Sequence, residues 1–211
     1  MKTQQFRGLA LAVGLSIWGM AAAAESITVA GGCFWCVESD FDSVSGVTST
    51  VSGYTGGTSD NPTYKAVSAG RGGHYEAVKI EFDPSTVSLR TLLDKYWRSV
   101  DPTDANGQFC DRGPSYRTAL FVDGERQRAT AEASKAAAAK ALGMEIVTPI
   151  IDAGKFYRAE DRHQDYYLGD KTVITRFGFI RQSEAYKRYR EACGRDKRVK
   201  QLWGSQAAFL H

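Results

Sequence analysis

The sequence predicts an α/β chain (α+β in its segregation) built on a ferredoxin-like βαββαβ core sheet, with helices and long decorating loops around it. Three observations carry this. Four short runs read as strands, two amphipathic stretches follow the first and third of them, and 211 residues suffice for one sizeable core.

The elements follow in order. "SITVA" (26–30) reads as a strand. In "CFWCVESDFDSV" (33–44), Phe34, Val37, Phe41 and Val44 recur at helical spacing. "GVTSTVSGY" (46–54) and "YEAVKIEFD" (75–83) alternate as strands do. Residues 88–100 place Leu89, Leu92, Leu93, Tyr96, Trp97 and Val100 on one helical face, with Ser88 as N-cap. "RTALFV" (117–122) is the fourth strand. The Ala-rich stretch 129–142 reads as an exposed helix stopped by Gly143. Three stretches between elements, 54–74, 101–116 and 152–181, are Gly- or aromatic-rich, and loops of that kind tend to carry function.

The N-terminus stands apart. Lys2 and Arg7 precede an uncharged apolar run (8–20) and "AAAA" (21–24), the layout of a secretory signal cleaved after Ala24. Residues 1–24 are thus expected to be a signal peptide, and 25–211 a single catalytic domain with a C-terminal helical extension, exported to the periplasm or secreted. Cleavage removes two positive charges and takes the formal net charge from +3 to +1. That balance argues against a nucleic-acid footprint; the basic residues at 187–200, interrupted by Glu191 and Asp196, read as a solvated helix face. No later window is long and apolar enough to predict a membrane span. Four cysteines in an exported chain fit disulfide chemistry, while one C-x-x-C followed by lone cysteines at 110 and 193 is a poor zinc pattern.

The chemistry centres on Cys33. A strand, two glycines and a helix place it in the first helical turn, where unpaired amides and the helix dipole favour a thiolate and lower a thiol pKa. Glu76 shares strand parity with Val78, Ile80 and Phe82, so its carboxyl points to the apolar side, where burial favours the neutral acid. A neutral carboxyl at pH 7 can donate a proton. Tyr54, Tyr64, Tyr75 and Tyr116 cluster around the loops and offer phenolic donors or plain packing. Taken alone, Asp111 reads as a turn residue and His163 as a surface histidine or a base. Phe34 and Trp35 can hold something small and apolar, and Cys36 stands one turn on, placed to resolve an oxidised Cys33. This set suits removal of oxygen from sulfur, running from thiolate through sulfenic acid to disulfide.

Seven motifs, "GCFWCVE" (32–38), "GYTGG" (53–57), "NPTY" (61–64), "GHYEAV" (73–78), "DPTD" (101–104), "CDRGPSYR" (110–117) and "AEDRHQDYY" (159–167), resemble those of A-type peptide methionine sulfoxide reductases. The resemblance implies reduction of the S epimer of methionine sulfoxide, free or in oxidised proteins, with no metal or organic cofactor. It implies that Cys33 attacks sulfur, Glu76 protonates the oxygen, Tyr64 and Tyr116 hydrogen-bond it, and Asp111 supports the polar network. Phe34 and Trp35 would cradle the substrate methyl. A thioredoxin-like donor would restore the thiols, and the enzyme would act as a monomer with no stable membrane insertion after signal cleavage. Many relatives carry Gly at the position of Cys36 and resolve near the C-terminus. Cys36 is the expected resolving cysteine here, leaving Cys110 and Cys193 as a structural disulfide; the rival is a relay from Cys33 to Cys193 or Cys110. Competing functions are a general thiol–disulfide oxidoreductase and a non-enzymatic binding module.

Overall fold

The fold is that of a computed structural model, described over residues 24–211; the expected signal segment, but for its last residue, lies outside the described residues. Strand β1 (Glu25–Gly31), helix α1 (Phe34–Asp42), β2 (Val47–Thr55), the single turn α2 (Tyr64–Val67), β3 (Tyr75–Phe82), α3 (Leu89–Trp97), the two-residue strands β4 (Gly107–Gln108) and β5 (Asp111–Arg112), and β6 (Thr118–Val122) make the first half. Helix α4 (Gly124–Leu142), β7 (Ile150–Asp152), β8 (Tyr157–Arg158), the hairpin strands β9 (Thr172–Thr175) and β10 (Gly178–Arg181), α5 (Gln182–Cys193) and α6 (Arg195–Trp203) complete the chain.

The core strands lie in the order β6-β1-β3-β2 and pair antiparallel throughout, which is the ferredoxin-like arrangement the element order implies. Two edges extend it: β7 adds parallel to β6, and β8 adds antiparallel to β2. Neither extension was legible as a strand, since three- and two-residue segments carry no periodicity.

The pleat of β3 sorts its side chains. Val78, Ile80 and Phe82 join the core shared with α1 and α3, whereas Tyr75 and Ala77 pack with Ala30, Ala119 and Phe121 in a separate cluster. Helix α3 buries Leu89, Leu92, Leu93, Tyr96 and Trp97, each contributing about 1.5–3 kcal/mol by leaving water. Ser88 caps it through a bond accepted from the Thr91 amide at 3.1 Å. The helix stops at Trp97, three residues short of the sequence expectation, because Pro102 disfavours helix just ahead of it and the chain turns at Arg98–Ser99. Val100 remains fully buried. Helix α4 begins five residues earlier than its composition suggests and ends at Gly143, which takes a left-handed conformation at φ 66°. The stretches read as loops are not bare: 54–74 contains α2, 101–116 the β4–β5 ladder, and 152–181 contains β8 and the β9–β10 hairpin. Among the described residues no helix is long and apolar enough to cross a membrane.

Candidate active site

The corner between β1 and α1 is built by two glycines. Gly32 sits at φ 83°, and a Cβ there would lie 2.7 Å from the Gln108 Cβ; at Gly31 a Cβ would lie 3.0 Å from Val100 and 3.1 Å from Val37. The preceding carbonyls are pinned. Tyr96 donates its hydroxyl to Ala30 O at 2.7 Å, and Arg195 donates Nη1 to Gly31 O at 2.9 Å. Cys33 therefore arrives at a fixed place. It is the N-cap of α1 rather than a first-turn residue, with Cys36 and Val37 donating their amides to its carbonyl.

The first helical amide, that of Phe34, donates to Glu76 Oε2 at 3.2 Å. This corrects the expectation of a helix terminus reserved for the Cys33 sulfur: a carboxyl from β3 occupies it. Glu76 is 2% exposed, and its Oε1 is buried with no partner. Burial pushes its pKa up to about 8, against the pull of the Phe34 amide and with help from the charges of Asp111 and Cys36. The carboxyl is thus a neutral acid at pH 7 with one oxygen unpaired.

The two thiols are free, Cys33 half-buried and Cys36 buried. The Cys33 pKa is raised, first by donation to the Cys36 sulfur, then by burial, then by the charges of Cys36, Glu76 and Asp111. The Cys36 pKa is lowered, first by accepting from Cys33, with burial opposing and Arg195 and Arg190 assisting. Here the structure overturns the sequence expectation of a lowered Cys33. The first proton leaves the pair at Cys36, chiefly because its sulfur accepts the Cys33 S–H, and also because Arg195 and Arg190 outweigh Asp40 beside it while Glu76 and Asp111 act on Cys33.

Those guanidiniums come from α5 and α6. Arg190 is 4% exposed and donates to Asp40 Oδ1 at 2.8 Å, to Asp196 Oδ1 at 2.9 Å and to the Phe209 carbonyl at 2.7 Å. Arg195 is 2% exposed; its Nη2 lies 3.6 Å from Asp40, while its Nε and Nη2 have no hydrogen-bond partner. Both side chains line the same cavity as Cys33, Cys36 and Glu76. Neither was singled out from sequence as part of a site, since the basic run 187–200 reads as solvated; two buried arginines among exposed ones have no signature in one dimension.

That cavity has a volume of about 640 Å³. Tyr64 and Tyr116 line it, and burial, followed by the Glu76 charge, raises both phenols so that they stay protonated donors. Tyr64 is set in place by Glu160, which accepts its amide at 3.0 Å and the Tyr54 hydroxyl at 2.8 Å. Tyr54 is wholly buried in the core cluster, 5.9 Å from the Phe34 ring, and does not line the cavity; Tyr75 packs on the far side of the sheet. Asp111 is half-buried on the cavity wall with its pKa raised by burial, against Arg195 and Arg176. Its two oxygens lie 3.8 and 3.7 Å from the sulfurs of Cys110 and Cys193. Those cysteines form a disulfide that spans 83 residues.

The aromatic wall is thicker than the sequence suggests. Phe34 is buried, with Tyr64 stacked 6.3 Å away. Trp35 lies flat on Tyr166, ring centroids 3.8 Å apart, and its Nε1 is buried without a partner. His163 is buried rather than at the surface, 4.4 Å from Tyr64 and 5.7 Å from Trp35. Burial lowers its pKa to about 4, and Arg162 donates to its Nε2 at 3.1 Å, so it is a neutral ring in the wall.

A dithiol at a helix start, a neutral carboxyl and protonated phenols around one apolar cavity define a thiol-based oxidoreductase. Comparisons sharpen the class. The family model for peptide methionine sulfoxide reductase matches residues 25–206. Peptide methionine sulfoxide reductase MsrA 2 of Rhizobium meliloti is 48% identical over 187 residues, covering 89% of this chain and 87% of its own. Among solved structures, reduced Mxr1 of Saccharomyces cerevisiae is similar at TM-score 0.66 and 29% identity, covering 75% of this chain and 92% of that one. Methionine sulfoxide reductase A of Corynebacterium diphtheriae is similar at TM-score 0.62 and 32% identity, covering 74% and 82%. The chain belongs to the peptide methionine sulfoxide reductase family, A type.

Proposed function

We propose that this enzyme reduces the S epimer of methionine sulfoxide, free or within oxidised proteins, by direct attack of Cys33 on the sulfoxide sulfur. The observation that carries this reading is the unpaired, buried Oε1 of a neutral Glu76 in the wall of the cavity that holds Cys33. An acid O–H with no partner is a costly thing to bury, and a sulfoxide oxygen satisfies it.

The steps balance as follows. Cys36 takes the Cys33 proton, and the Cys33 thiolate bonds to the sulfoxide sulfur while Glu76 delivers its proton to the oxygen. Tyr64 and Tyr116 donate to that oxygen as charge builds on it. The oxygen passes to Cys33 as a sulfenic acid, the thioether leaves, and Phe34 and Trp35 accommodate its methyl. Cys36, its anion favoured by Arg195 and Arg190, then attacks the sulfenic sulfur; the proton it took from Cys33 goes to the departing hydroxyl, which leaves as water as the Cys33–Cys36 disulfide forms, and the ionised Glu76 regains its proton from solvent. A thioredoxin-like dithiol reduces that disulfide, a partnership for which yeast Mxr1, solved in complex with Trx2, is a precedent. Cys110 and Cys193, already joined, serve as a structural tie that carries Asp111. We further infer export after cleavage at Ala24, supported by the charge and apolar pattern of residues 1–24, and action as a monomer.

The test is stereochemical and covalent together. Each sulfoxide epimer is offered in single turnover without reductant, and the disulfide formed is mapped. Consumption of the S epimer alone with a Cys33–Cys36 bridge is expected. Consumption of the R epimer, or a Cys33–Cys193 or Cys33–Cys110 bridge, overturns the corresponding step.

A further inference from the structure

The cavity has a wall that the reaction does not use. Lys171, Thr172, Val173, Ile174 and Thr175, five consecutive residues, line it. Side chains alternate across a strand, so consecutive lining residues mean that β9 turns an edge, not a face, toward the cavity. Among the described residues β9 pairs only with β10, which leaves the main-chain groups of its other edge without a strand partner.

The two faces of this hairpin differ. Val173 and Ile180, opposite each other in register, pack inward against the cluster of Cys36, Tyr166, Ala185 and Tyr186. Ile174 and Phe179 are the next cross-strand pair and point outward, 78% and 76% exposed. The hairpin is therefore anchored by one face and bare on the other. An exposed Ile–Phe pair forms a continuous apolar spot at the cavity mouth, of the kind that marks an interaction site.

We propose that the β9 edge and the Ile174–Phe179 pair dock an extended segment of the polypeptide substrate. The sulfoxide side chain reaches Cys33, and the pair covers an apolar residue flanking it. This rests on the reading of the cavity as the sulfoxide site. The occupant follows from continuity: Ile174 belongs at once to the cavity wall and to the outer spot, so a chain whose sulfoxide is in the cavity runs over the hairpin. Strand-edge bonds hold a main chain of any sequence, and a side-chain spot adds preference. Damaged methionines also supply the matching chemistry. Methionine packs among apolar neighbours in cores, and oxidation makes it polar and opens such cores.

The test compares free methionine sulfoxide with two blocked peptides that carry a central methionine sulfoxide flanked by leucines or by serines, using dithiothreitol as reductant. The wild type should favour the leucine-flanked peptide by about tenfold in kcat/KM, and Phe179→Ser should cut that preference to about twofold with turnover of the free amino acid unchanged. N-methylation of the main chain beside the sulfoxide should slow the peptide several-fold, roughly the worth of one or two hydrogen bonds. Equal rates for the two peptides in the wild type, or an unaltered preference in Phe179→Ser, overturns the proposal. So does a Phe179→Ser defect seen only when thioredoxin replaces dithiothreitol, which would assign the hairpin to the reductant. Failure of the wild type to reduce any of the three substrates would instead refute the reading of the cavity itself.

Discussion

Cys33 and Cys36 lie three residues apart at the start of α1, reduced, with Cys36 buried among Tyr166, Ala185 and Tyr186. Cys110 and Cys193 lie 83 residues apart, already joined, with Cys110 exposed. Both pairs line one cavity. Burial, two guanidiniums and two acids bias the first pair toward a particular proton arrangement, whereas the second pair has no proton to lose and ties the α5–α6 unit to the Asp111 loop. Spacing is what separates the two roles. A close pair on a helix can open and close with little backbone change, while a long-range bridge stabilises mainly by restricting the unfolded chain.

The sharpest way to break this comparison is to remove sulfur from each pair in turn. Cys33→Ser should abolish sulfoxide reduction with circular dichroism and melting unchanged; measurable single-turnover methionine would move the nucleophile elsewhere. Glu76→Gln should slow methionine formation by about 10²–10⁴-fold if its proton enters the transition state. The pH profile checks the same group. Its acid form is lost as pH rises through about 8, so wild-type single-turnover rates should fall across that range and the variant should lack the limb.

The double variant Cys110→Ser, Cys193→Ser should keep reducing sulfoxide in single turnover but lose about 4–5 kcal/mol of stability by the chain-entropy account, read by urea titration. If it instead stalls after methionine release, the bridge is part of the electron path and the contrast between the pairs fails. Arg195→Met should slow methionine formation, because it frees the Gly31 carbonyl and weakens the Cys36 anion that takes the Cys33 proton, and should slow disulfide closure by about tenfold with its pH dependence moved upward. Slowing of both steps with an unaltered pH dependence of closure would make Arg195 a packing residue only.

The smallest effect concerns stability. Glu38, fully buried in α1 and outside the cavity wall, is also raised to about 8, first by burial and then by Asp165 and Asp42. Both carboxyls hold protons more tightly folded than unfolded. Their stabilising contribution is complete below the ordinary carboxyl range near 4.5 and declines as pH rises to about 8. Glu38→Gln should flatten that decline without the catalytic loss of Glu76→Gln, as measured by melting between those pH values.

Much of this was legible in one dimension. The four core strands and α1, α3 and α4 follow from apolar period and capping, and Glu76 was betrayed by an acid on the apolar parity of β3. Cys33, Tyr64, Tyr116 and Asp111 do converge on one cavity. The sequence could not reveal which of two adjacent thiols gives up its proton first, because that depends on Arg190 and Arg195, more than 150 residues away. Nor could it show that His163 is a buried neutral ring or that Tyr166 covers Trp35, since three-dimensional stacking leaves no period. The hairpin β9–β10 lies in a stretch that reads as a loop because its strands are four residues each, too short for alternation to stand out even though "TVIT" is β-branched throughout.

One further consequence lies in the two carbonyls ahead of the nucleophile. Ala30 is held by a hydroxyl 66 positions downstream and Gly31 by a guanidinium 164 positions downstream. During synthesis, then, the Cys-x-x-Cys segment emerges among the first folded residues but gains its fixed corner only when α6 has been made and docked. Until that moment the pair lacks the Arg195 charge that favours the Cys36 anion, and the growing chain carries its future reagent without that bias.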